Sequence, residues 1–304
     1  MLLFQQMLVL FMIMFIGFVC AKKKIIDQNA SKAITFLVVN IANPALILSG
    51  SVNREGKIEG TDLLLTVLIA LCVYAGLMIV SFLIPFLMKT PREDVGTYRV
   101  MMLFSNIGFM GFPVIQALFG NEALLYASIF LFPYNILIYT YGIQAMKKDK
   151  TQKMQFHISN IFNVGVIFCI LSILVYLTGI EMPVVVKTTV SNLSNLTAPL
   201  SMIVIGVSLA QIDLKSLFLD ARLLIFCLIK LLIVPIAGLA VIRQFVDNDI
   251  IFGICVVMLA TPVGSMTAML AQQYDGDSEL ASRGVALSTV LSVVTIPIVS
   301  NIML

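Results

Sequence analysis

The stretch that decides the fold is Asn106 to Pro113, Asn-Ile-Gly-Phe-Met-Gly-Phe-Pro, which lies inside an otherwise apolar segment at about 101–119. Gly108 and Gly111 are poor helix formers, and Pro113 can neither donate a backbone hydrogen bond nor fit beside the carbonyl of the preceding turn. The sequence therefore predicts a membrane helix that is broken within this stretch. A break frees backbone polar groups, which persist in hydrocarbon only where protein, water or a ligand satisfies them.

A second interruption, Ala260-Thr-Pro-Val-Gly-Ser265, lies in the apolar segment at about 250–273. Pro262 and Gly264 disfavour a continuous helix there for the same reasons. Two Gly/Pro-interrupted spans in corresponding positions of the two halves of a chain indicate the binding site of a transporter. We therefore expect a functional site where the two breaks meet.

The composition is that of a polytopic membrane protein. Of 304 residues, 60% are hydrophobic and 12% are charged, and the mean hydropathy is +1.05, whereas a soluble domain is roughly 25% charged. The basic residues are spread over the connections and form no patch for nucleic acid. The five cysteines lie in apolar segments without the spacing of metal ligands, so the sequence predicts neither a metal nor a cofactor.

Ten apolar segments are long enough to cross about 30 Å of hydrocarbon. They lie at about 2–21, 33–51, 62–88, 100–119, 123–146, 156–178, 184–210, 222–242, 250–273 and 284–303. The odd-numbered connections carry 14 Lys or Arg and the even-numbered ones carry 4. Under the positive-inside rule the odd-numbered connections are cytoplasmic and both termini are extracytoplasmic. We expect a multi-pass protein of the plasma (cell inner) membrane.

The basic connection at 147–155 divides the ten spans into five plus five. Because five is odd, the second half enters the membrane in the opposite sense to the first, which is the condition for an inverted repeat. We therefore predict an all-α fold with one five-helix repeat at 1–146 and an inverted repeat at 156–304.

The charged residues restrict the substrate. All 16 acidic residues fall in connections or at the edges of spans, which argues against a cation substrate and against coupling through a buried carboxylate. Lys230 is the one clear charge within a span, roughly 12 Å from its cytoplasmic end. Two interpretations stay open: the lysine snorkels to the interface, or it is a fixed positive charge that ties the broken helices together or compensates an anion.

The helix breaks also favour an anion, because the second half of a broken helix begins near the midplane with free N–H donors and about half a positive charge. Asn106 offers a neutral donor and acceptor two turns before Pro113. Hydroxyl groups flank the second break at Thr261, Ser265 and Thr267. The alternative for each of these residues is that it only joins neighbouring helices.

Two further asparagines are candidates for the same site. Asn43, directly before Pro44 in span 2, is a candidate to form part of the wall of the site. The alternative is that the Asn-Pro pair has only a structural role in the scaffold. Asn135, two residues after Pro133 in span 5, is a candidate for the same cavity.

Several motifs resemble those of the auxin efflux carriers and their bacterial relatives, the membrane transport family that includes malate and malonate permeases. The similarity extends over essentially the whole chain and includes the ten-span layout. The matching pieces are Asn106–Pro113, Leu118-Phe-Gly120, Thr261-Pro-Val-Gly264, Gln273-Tyr274, Ala286-Leu-Ser-Thr289 and Thr295-Ile-Pro297.

The resemblance implies the fold of sodium/bile-acid symporters, in which spans 4 and 9 are broken and cross at the midplane. Spans 1, 2, 6 and 7 would form a scaffold domain, and spans 3–5 and 8–10 an elevator-like transport domain. In the plant carriers the asparagine that matches Asn106 contacts the substrate carboxylate. The chain departs from the plant pattern at Thr267, where a second proline stands, and in its short 147–155 loop, which speaks against auxin itself and against regulation by phosphorylation.

We therefore expect a carrier of small organic anions such as malate, malonate or auxin-like acids, working in the lipid bilayer and dimerising through the scaffold. The competing interpretation within transport is a sodium-coupled symporter of the bile-acid type. A membrane sensor that has kept the fold and lost transport is an interpretation from another class. An enzyme is disfavoured, because the spans contain no nucleophile–base pair, metal cluster or paired carboxylates.

Overall fold

The computed structural model describes residues 2–52, 60–147, 163–213, 217–274 and 276–304, and in these ranges the regular elements are all helical. Apolar helices satisfy their own backbone hydrogen bonds, as a lipid environment requires. In chain order they are α1 (Leu2–Lys22), α2 (Gln28–Val52), α3 (Gly60–Leu87), α4 (Val95–Leu103), α5 (Ile107–Phe119), α6 (Glu122–Met146), α7 (Val164–Thr178), α8 (Val184–Ala210), α9 (Ala221–Ile242), α10 (Asp249–Ala260), α11 (Ser265–Gln273) and α12 (Ser278–Met303).

Six of these helices are long and apolar enough to cross a membrane: α2, α3, α6, α8, α9 and α12. Shorter apolar helices lie at Leu8–Lys22, Ile107–Phe119, Val164–Thr178 and Asp249–Ala260. The pairs α4/α5 and α10/α11 correspond to the predicted spans 4 and 9. Of the predicted 147–155 connection only Lys147 is described, and 156–162 of predicted span 6 also lie outside the described residues. The arrangement of ten spans in two inverted halves stays a prediction.

Wide helical turns precede three of the prolines. A proline lacks an N–H and crowds the carbonyl four residues before it, and a π-helical turn relieves both problems by shifting the preceding hydrogen bond to the carbonyl five residues back. Such turns lie at Val38–Ala42 before Pro44, at Ile107–Gly111 before Pro113, and at Ile229–Ile233 before Pro235.

Close contacts between backbones join α1 to α8 and α2 to its neighbours. Gly206 of α8 lies so near α1 that a Cβ atom there would be 1.9 Å from the carbonyl oxygen of Met14. α2 packs against α7 and against the first half of α8. These contacts connect helices of the predicted scaffold, but the division into a scaffold and a transport domain stays a prediction.

The most deeply buried helices are α4 and α10. Every residue of α10 from Ile251 to Ala260 is buried, as is most of α4 from Thr97 to Leu103. Both helices end in the interior, so the segments that follow them are surrounded by protein. A break there can be satisfied without contact to lipid.

Aspartates lie at the start of α4, α9 and α12. The carboxylates of Asp220 and Asp277 accept hydrogen bonds from the first turns of α9 and α12, and Arg283 forms an ion pair with Asp220 at 3.5 Å. Burial raises the pKa of the Asp94 carboxyl, and the nearby carboxylate of Asp277 raises it further. Ionisation of Asp94 is therefore less favourable in the folded protein than in the unfolded chain.

Candidate functional site

Two unwound segments, one between α4 and α5 and the other between α10 and α11, pair through their backbones at a position called the crossing here. Ser105 and Val263 form a single antiparallel bridge. The N–H of Asn106 donates to the carbonyl of Pro262 at 2.8 Å, and the N–H of Gly264 donates to the carbonyl of Phe104 at 2.9 Å. Each break therefore supplies the hydrogen-bond partners that the other lacks.

The two breaks differ in how well the sequence located them. The second interruption lies where it was predicted, since α10 ends at Ala260 and α11 begins at Ser265. The first lies earlier than Gly108 and Pro113, because the chain is already extended at Phe104 and re-enters a helix at Ile107. Gly108 and Pro113 are thus part of α5, and the physical reason is that the pairing with 262–264, not the proline, unwinds the chain.

Lys230 reaches the first break from α9. Its side chain is 2% exposed, and its ammonium donates to the carbonyl of Met102 and to Oγ of Ser105, both at 3.0 Å. The lysine lies in the wide turn that precedes Pro235. The ammonium is therefore hydrogen-bonded to the first break. The snorkelling interpretation required it to extend to the membrane surface instead, and it does not.

Gly264 and Ser288 hold the second break in place. A Cβ atom on Gly264 would lie 2.9 Å from the carbonyl oxygen of Ser105, so only glycine allows the two backbones to approach this closely. Ser288 of α12 accepts a hydrogen bond from the N–H of Val263 at 3.1 Å. Backbone contact and one side chain thus fix the position of this segment.

The side chain of Asn106 is buried and incompletely hydrogen-bonded. It is 4% exposed, and its Nδ2 has no acceptor among the described residues. Asn43 of α2 lies beside α5, where its Nδ2 would be 3.4 Å from a Cβ atom on Gly108, and its buried Oδ1 likewise lacks a partner. A buried amide without partners is costly, so these two asparagines mark a polar position beside the crossing.

The hydroxyl groups of the second break have different roles. Thr261 is fully buried and donates to the carbonyl of Met258 at 3.0 Å, so its hydroxyl is used within α10. Ser265 is half-buried at the first position of α11. Thr267, also fully buried, has a hydroxyl without a partner in the described part of the chain. Of the three, Thr267 most resembles Asn106 in its unsatisfied hydrogen bonding.

Asn135 has other partners. It lies in α6, where its Nδ2 donates to the carbonyl of Leu131 at 2.7 Å and its Oδ1 accepts from Asn163. Asn163 in turn caps the start of α7 by accepting from the N–H of Val166. These bonds connect α6 to α7, and they place Asn135 in a different hydrogen-bond network from the crossing.

The helix ends around the crossing produce a mixed electrostatic environment. α5 and α11 begin here with N–H groups that have no acceptor in their own helices, and α4 and α10 end here with carbonyls that have no N–H donor in their own helices. Each N-terminus carries about +0.5 and each C-terminus about −0.5 of an elementary charge. Lys230 places an ammonium group beside the C-terminus of α4.

The structure thus brings Lys230, Asn106, Pro262 and Gly264 into one arrangement, with Thr261, Ser265 and Thr267 on the second segment. Sequence reasoning missed Ser105, whose hydroxyl binds the lysine, and Ser288, which binds Val263. Ser105 directly precedes the motif Asn106–Pro113 and Ser288 lies within the motif at 286–289, but nothing in their residue type distinguishes them from other serines in these helices.

The chain is similar to known membrane transport proteins along nearly its whole length. The sequence model of a family described as membrane transport protein matches residues 2–300. The chain is 25% identical over 305 residues to an uncharacterized transporter of Methanothermobacter thermautotrophicus, with 98% of each chain covered. It is 24% identical over 305 residues to an uncharacterized transporter of Methanocaldococcus jannaschii, with 95% of each chain covered. It is also 20% identical over 302 residues to the uncharacterized transporter YfdV of Escherichia coli, covering 96% of this chain and 95% of that protein. These matches run through both breaks and α9.

Proposed function

We propose that this chain, which belongs to the membrane transport protein family, is a secondary carrier that moves small organic anions across the plasma membrane. The substrates are mono- or dicarboxylates such as malate, malonate or auxin-like acids. The observation that carries the proposal is the unpartnered Nδ2 of Asn106, a buried donor at the start of α5. An N–H donor without an acceptor suits a carboxylate oxygen, as do the free N–H groups of the same helix end.

Lys230 supports the choice of an anion. No carboxylate lies within ion-pair distance of its ammonium in the described part of the chain. A buried ammonium without an anionic partner is unfavourable in a low dielectric, and an anionic substrate supplies the missing charge.

The proposed transport cycle is alternating access of the elevator type. The crossing of the two breaks, with α3 to α6 and α9 to α12, moves as one body against the scaffold of α1, α2, α7 and α8. Asn43 of α2 then belongs to the scaffold while Asn106 and Gly108 belong to the moving body, so the distance between Asn43 and Gly108 changes during the cycle. In this scheme both termini are extracytoplasmic and two copies of the chain associate through the scaffold.

The test is uptake of labelled malate, malonate and an aromatic monocarboxylate into proteoliposomes, with and without sodium and a pH gradient. Wild type is compared with Asn106→Ala and with Asn301→Ala, which makes the same change at an exposed position near the end of α12. Removing a charge-assisted hydrogen bond costs about 1.5–3 kcal/mol, so Asn106→Ala should lower carboxylate uptake at least about tenfold. Asn301→Ala should leave uptake unchanged.

The outcomes separate the alternatives. Uptake that requires sodium would favour the bile-acid type of symporter, and carboxylate binding without flux would favour a sensor. Carboxylate uptake unaffected by Asn106→Ala would keep the carrier but remove Asn106 from its site. Absence of both binding and uptake for all three acids, with the protein correctly folded, would refute the proposed substrate class.

A further inference from the structure

The oxygen atoms around the Lys230 ammonium have the chemistry of a site for a small cation. One is the main-chain carbonyl of Met102 and the other is the hydroxyl of Ser105, each 3.0 Å from Nζ. Carbonyl and hydroxyl oxygens are typical ligands of hard monovalent and divalent cations. In transporters with broken helices, unwound carbonyls and the C-terminal ends of half-helices are the places where coupling cations bind.

The break itself creates this position. In a continuous helix the carbonyl of Met102 would accept the N–H of Asn106, four residues later. Here that N–H donates to Pro262 instead, at 2.8 Å. The Met102 carbonyl is left at the C-terminus of α4, where the helix carries about half a negative charge. A positive charge is favoured at this point, and Lys230 provides it from α9.

No acidic side chain is paired with Lys230 in the part of the chain that is described. The ion pairs found there join Arg243 to Asp249 and Arg283 to Asp220, and neither involves Lys230. The lysine is 2% exposed, and it lies in the wide turn that precedes Pro235. Its two oxygen partners therefore account for its buried position.

We propose that the Lys230 ammonium is a tethered cation that occupies the monovalent-cation position of the first break. The carrier would then need no sodium ion to assemble its site, because its own side chain already fills the place of that ion. The transport readout of this inference rests on the proposed function, whereas its stability readout does not.

Substitution of the lysine should open the position to free cations. Lys230→Ala removes the ammonium and leaves a space of the same size. Either sodium or n-propylammonium, which matches the deleted atoms, should then bind to the two oxygens. Lys230→Met fills the same space with an apolar chain, so it should lose the stabilisation without gaining a response to cations. Lys23→Ala, at an exposed position after α1, is the matched control.

The experiment measures the apparent melting temperature of the purified proteins in sodium, choline and n-propylammonium chloride at equal ionic strength. Wild type and Lys23→Ala should melt at the same temperature in all three salts. Lys230→Ala should melt at a lower temperature in choline and recover part of the loss in sodium or n-propylammonium. Lys230→Met should be lowered equally in all three salts.

Transport is measured with the same proteins and salts in proteoliposomes. Loss of a hydrogen-bonded charge should lower the uptake by Lys230→Ala about 10- to 150-fold in choline, with partial rescue by n-propylammonium. Should no carboxylate be transported by any protein while the melting pattern appears, the proposed function fails and the tethered cation stands.

Two results would overturn the inference. One is a wild-type protein whose melting temperature rises in sodium relative to choline, a measurement that needs no variant to fold. The other is a Lys230→Ala protein that folds and shows no response to either cation. Ser105→Ala, which keeps the lysine but removes one of its two acceptors, gives a milder variant and should lower the melting temperature without creating a response to sodium.

Discussion

Replacing Gly264 with alanine tests whether the two unwound segments touch as described. The new Cβ atom would lie 2.9 Å from the carbonyl oxygen of Ser105 and 3.3 Å from that of Phe104. Both are main-chain atoms, so no side-chain rotation relieves the contact. The segments must separate by several tenths of an ångström, which strains the hydrogen bond of 2.9 Å between Gly264 and Phe104 and that of 2.8 Å between Asn106 and Pro262.

The expected magnitude follows from these contacts. Overpacking in a dense interior costs about 1–3 kcal/mol, and each strained hydrogen bond is worth about 0.5–1.5 kcal/mol net. These terms share the same atoms and do not simply add, so we expect Gly264→Ala to destabilise the protein by about 2 kcal/mol. A loss of that size lowers the ratio of folded to unfolded protein about 30-fold.

A thiol-reactive dye provides the assay, because the chain contains no tryptophan. Cys169, Cys227 and Cys255 are buried and should react only on unfolding, whereas Cys20 and Cys72 give the baseline. Gly76→Ala is the control: it lies within α3 and its Cβ atom would meet nothing within 4 Å. Gly264→Ala should melt at a clearly lower temperature and Gly76→Ala should not. Equal melting temperatures and equal uptake for Gly264→Ala and wild type would refute the described contact between the two backbones.

Two other substitutions test the surroundings of the crossing by the same melting assay. Gly206→Ala should destabilise the protein at least as strongly as Gly264→Ala, because its Cβ atom would be 1.9 Å from the Met14 carbonyl oxygen in α1; a melting temperature equal to that of wild type would contradict the packing of α1 on α8. Asp94→Asn tests the raised pKa of Asp94, which results first from burial and then from the nearby Asp277. An acid whose pKa is raised by folding stabilises the protein only while it is protonated, and this contribution is lost as the pH rises through the folded-state pKa. Asp94→Asn should therefore raise the melting temperature at neutral pH, and the gain should disappear below about pH 4, near the ordinary pKa of aspartate; a gain independent of pH would contradict the assignment.

Residue types predict the position of a helix break only where the local sequence itself disfavours a helix. Thr261 to Gly264 combines proline and glycine within four residues, and the helix is interrupted there. The first break lies before the glycines and the proline of its own segment. Its position is determined by pairing with the segment at 262–264, which draws Phe104 and Asn106 out of the helix. Gly108 and Pro113 are instead accommodated by a wide turn of α5. Tertiary pairing of this kind has no signal in the local sequence.

The site residues that sequence reasoning identified are those whose polarity is unusual in an apolar span. Lys230 stood out because it is charged, and Asn106 because an amide is costly to bury. Ser105 and Ser288 were missed, since a serine in a membrane helix usually satisfies its hydroxyl with a carbonyl of its own helix. Ser288 does donate to the carbonyl of Val285 at 3.1 Å, and its bond with Val263 depends on the packing of α12 against the break.

The charges around the crossing also predict the preferred charge of the substrate. The two helix N-termini and the two C-termini contribute about +0.5 and −0.5 each, so their sum is near zero and Lys230 leaves the site with about one positive charge. A singly charged carboxylate brings the site to neutrality, whereas a doubly charged one leaves an excess negative charge in a low dielectric, which is costly.

Malonate should therefore be carried mainly as its monoanion. Its uptake should increase as the pH falls through the second pKa of malonate, in the absence of a pH gradient. The uptake of a monocarboxylate that does not titrate in this range is the control for effects of pH on the protein. Because the positive charge comes from Lys230, Lys230→Met should weaken the uptake of the monoanion along with its preference over the dianion. Uptake of malonate that rises with pH while the control stays constant would mean that the site carries more positive charge than Lys230 supplies.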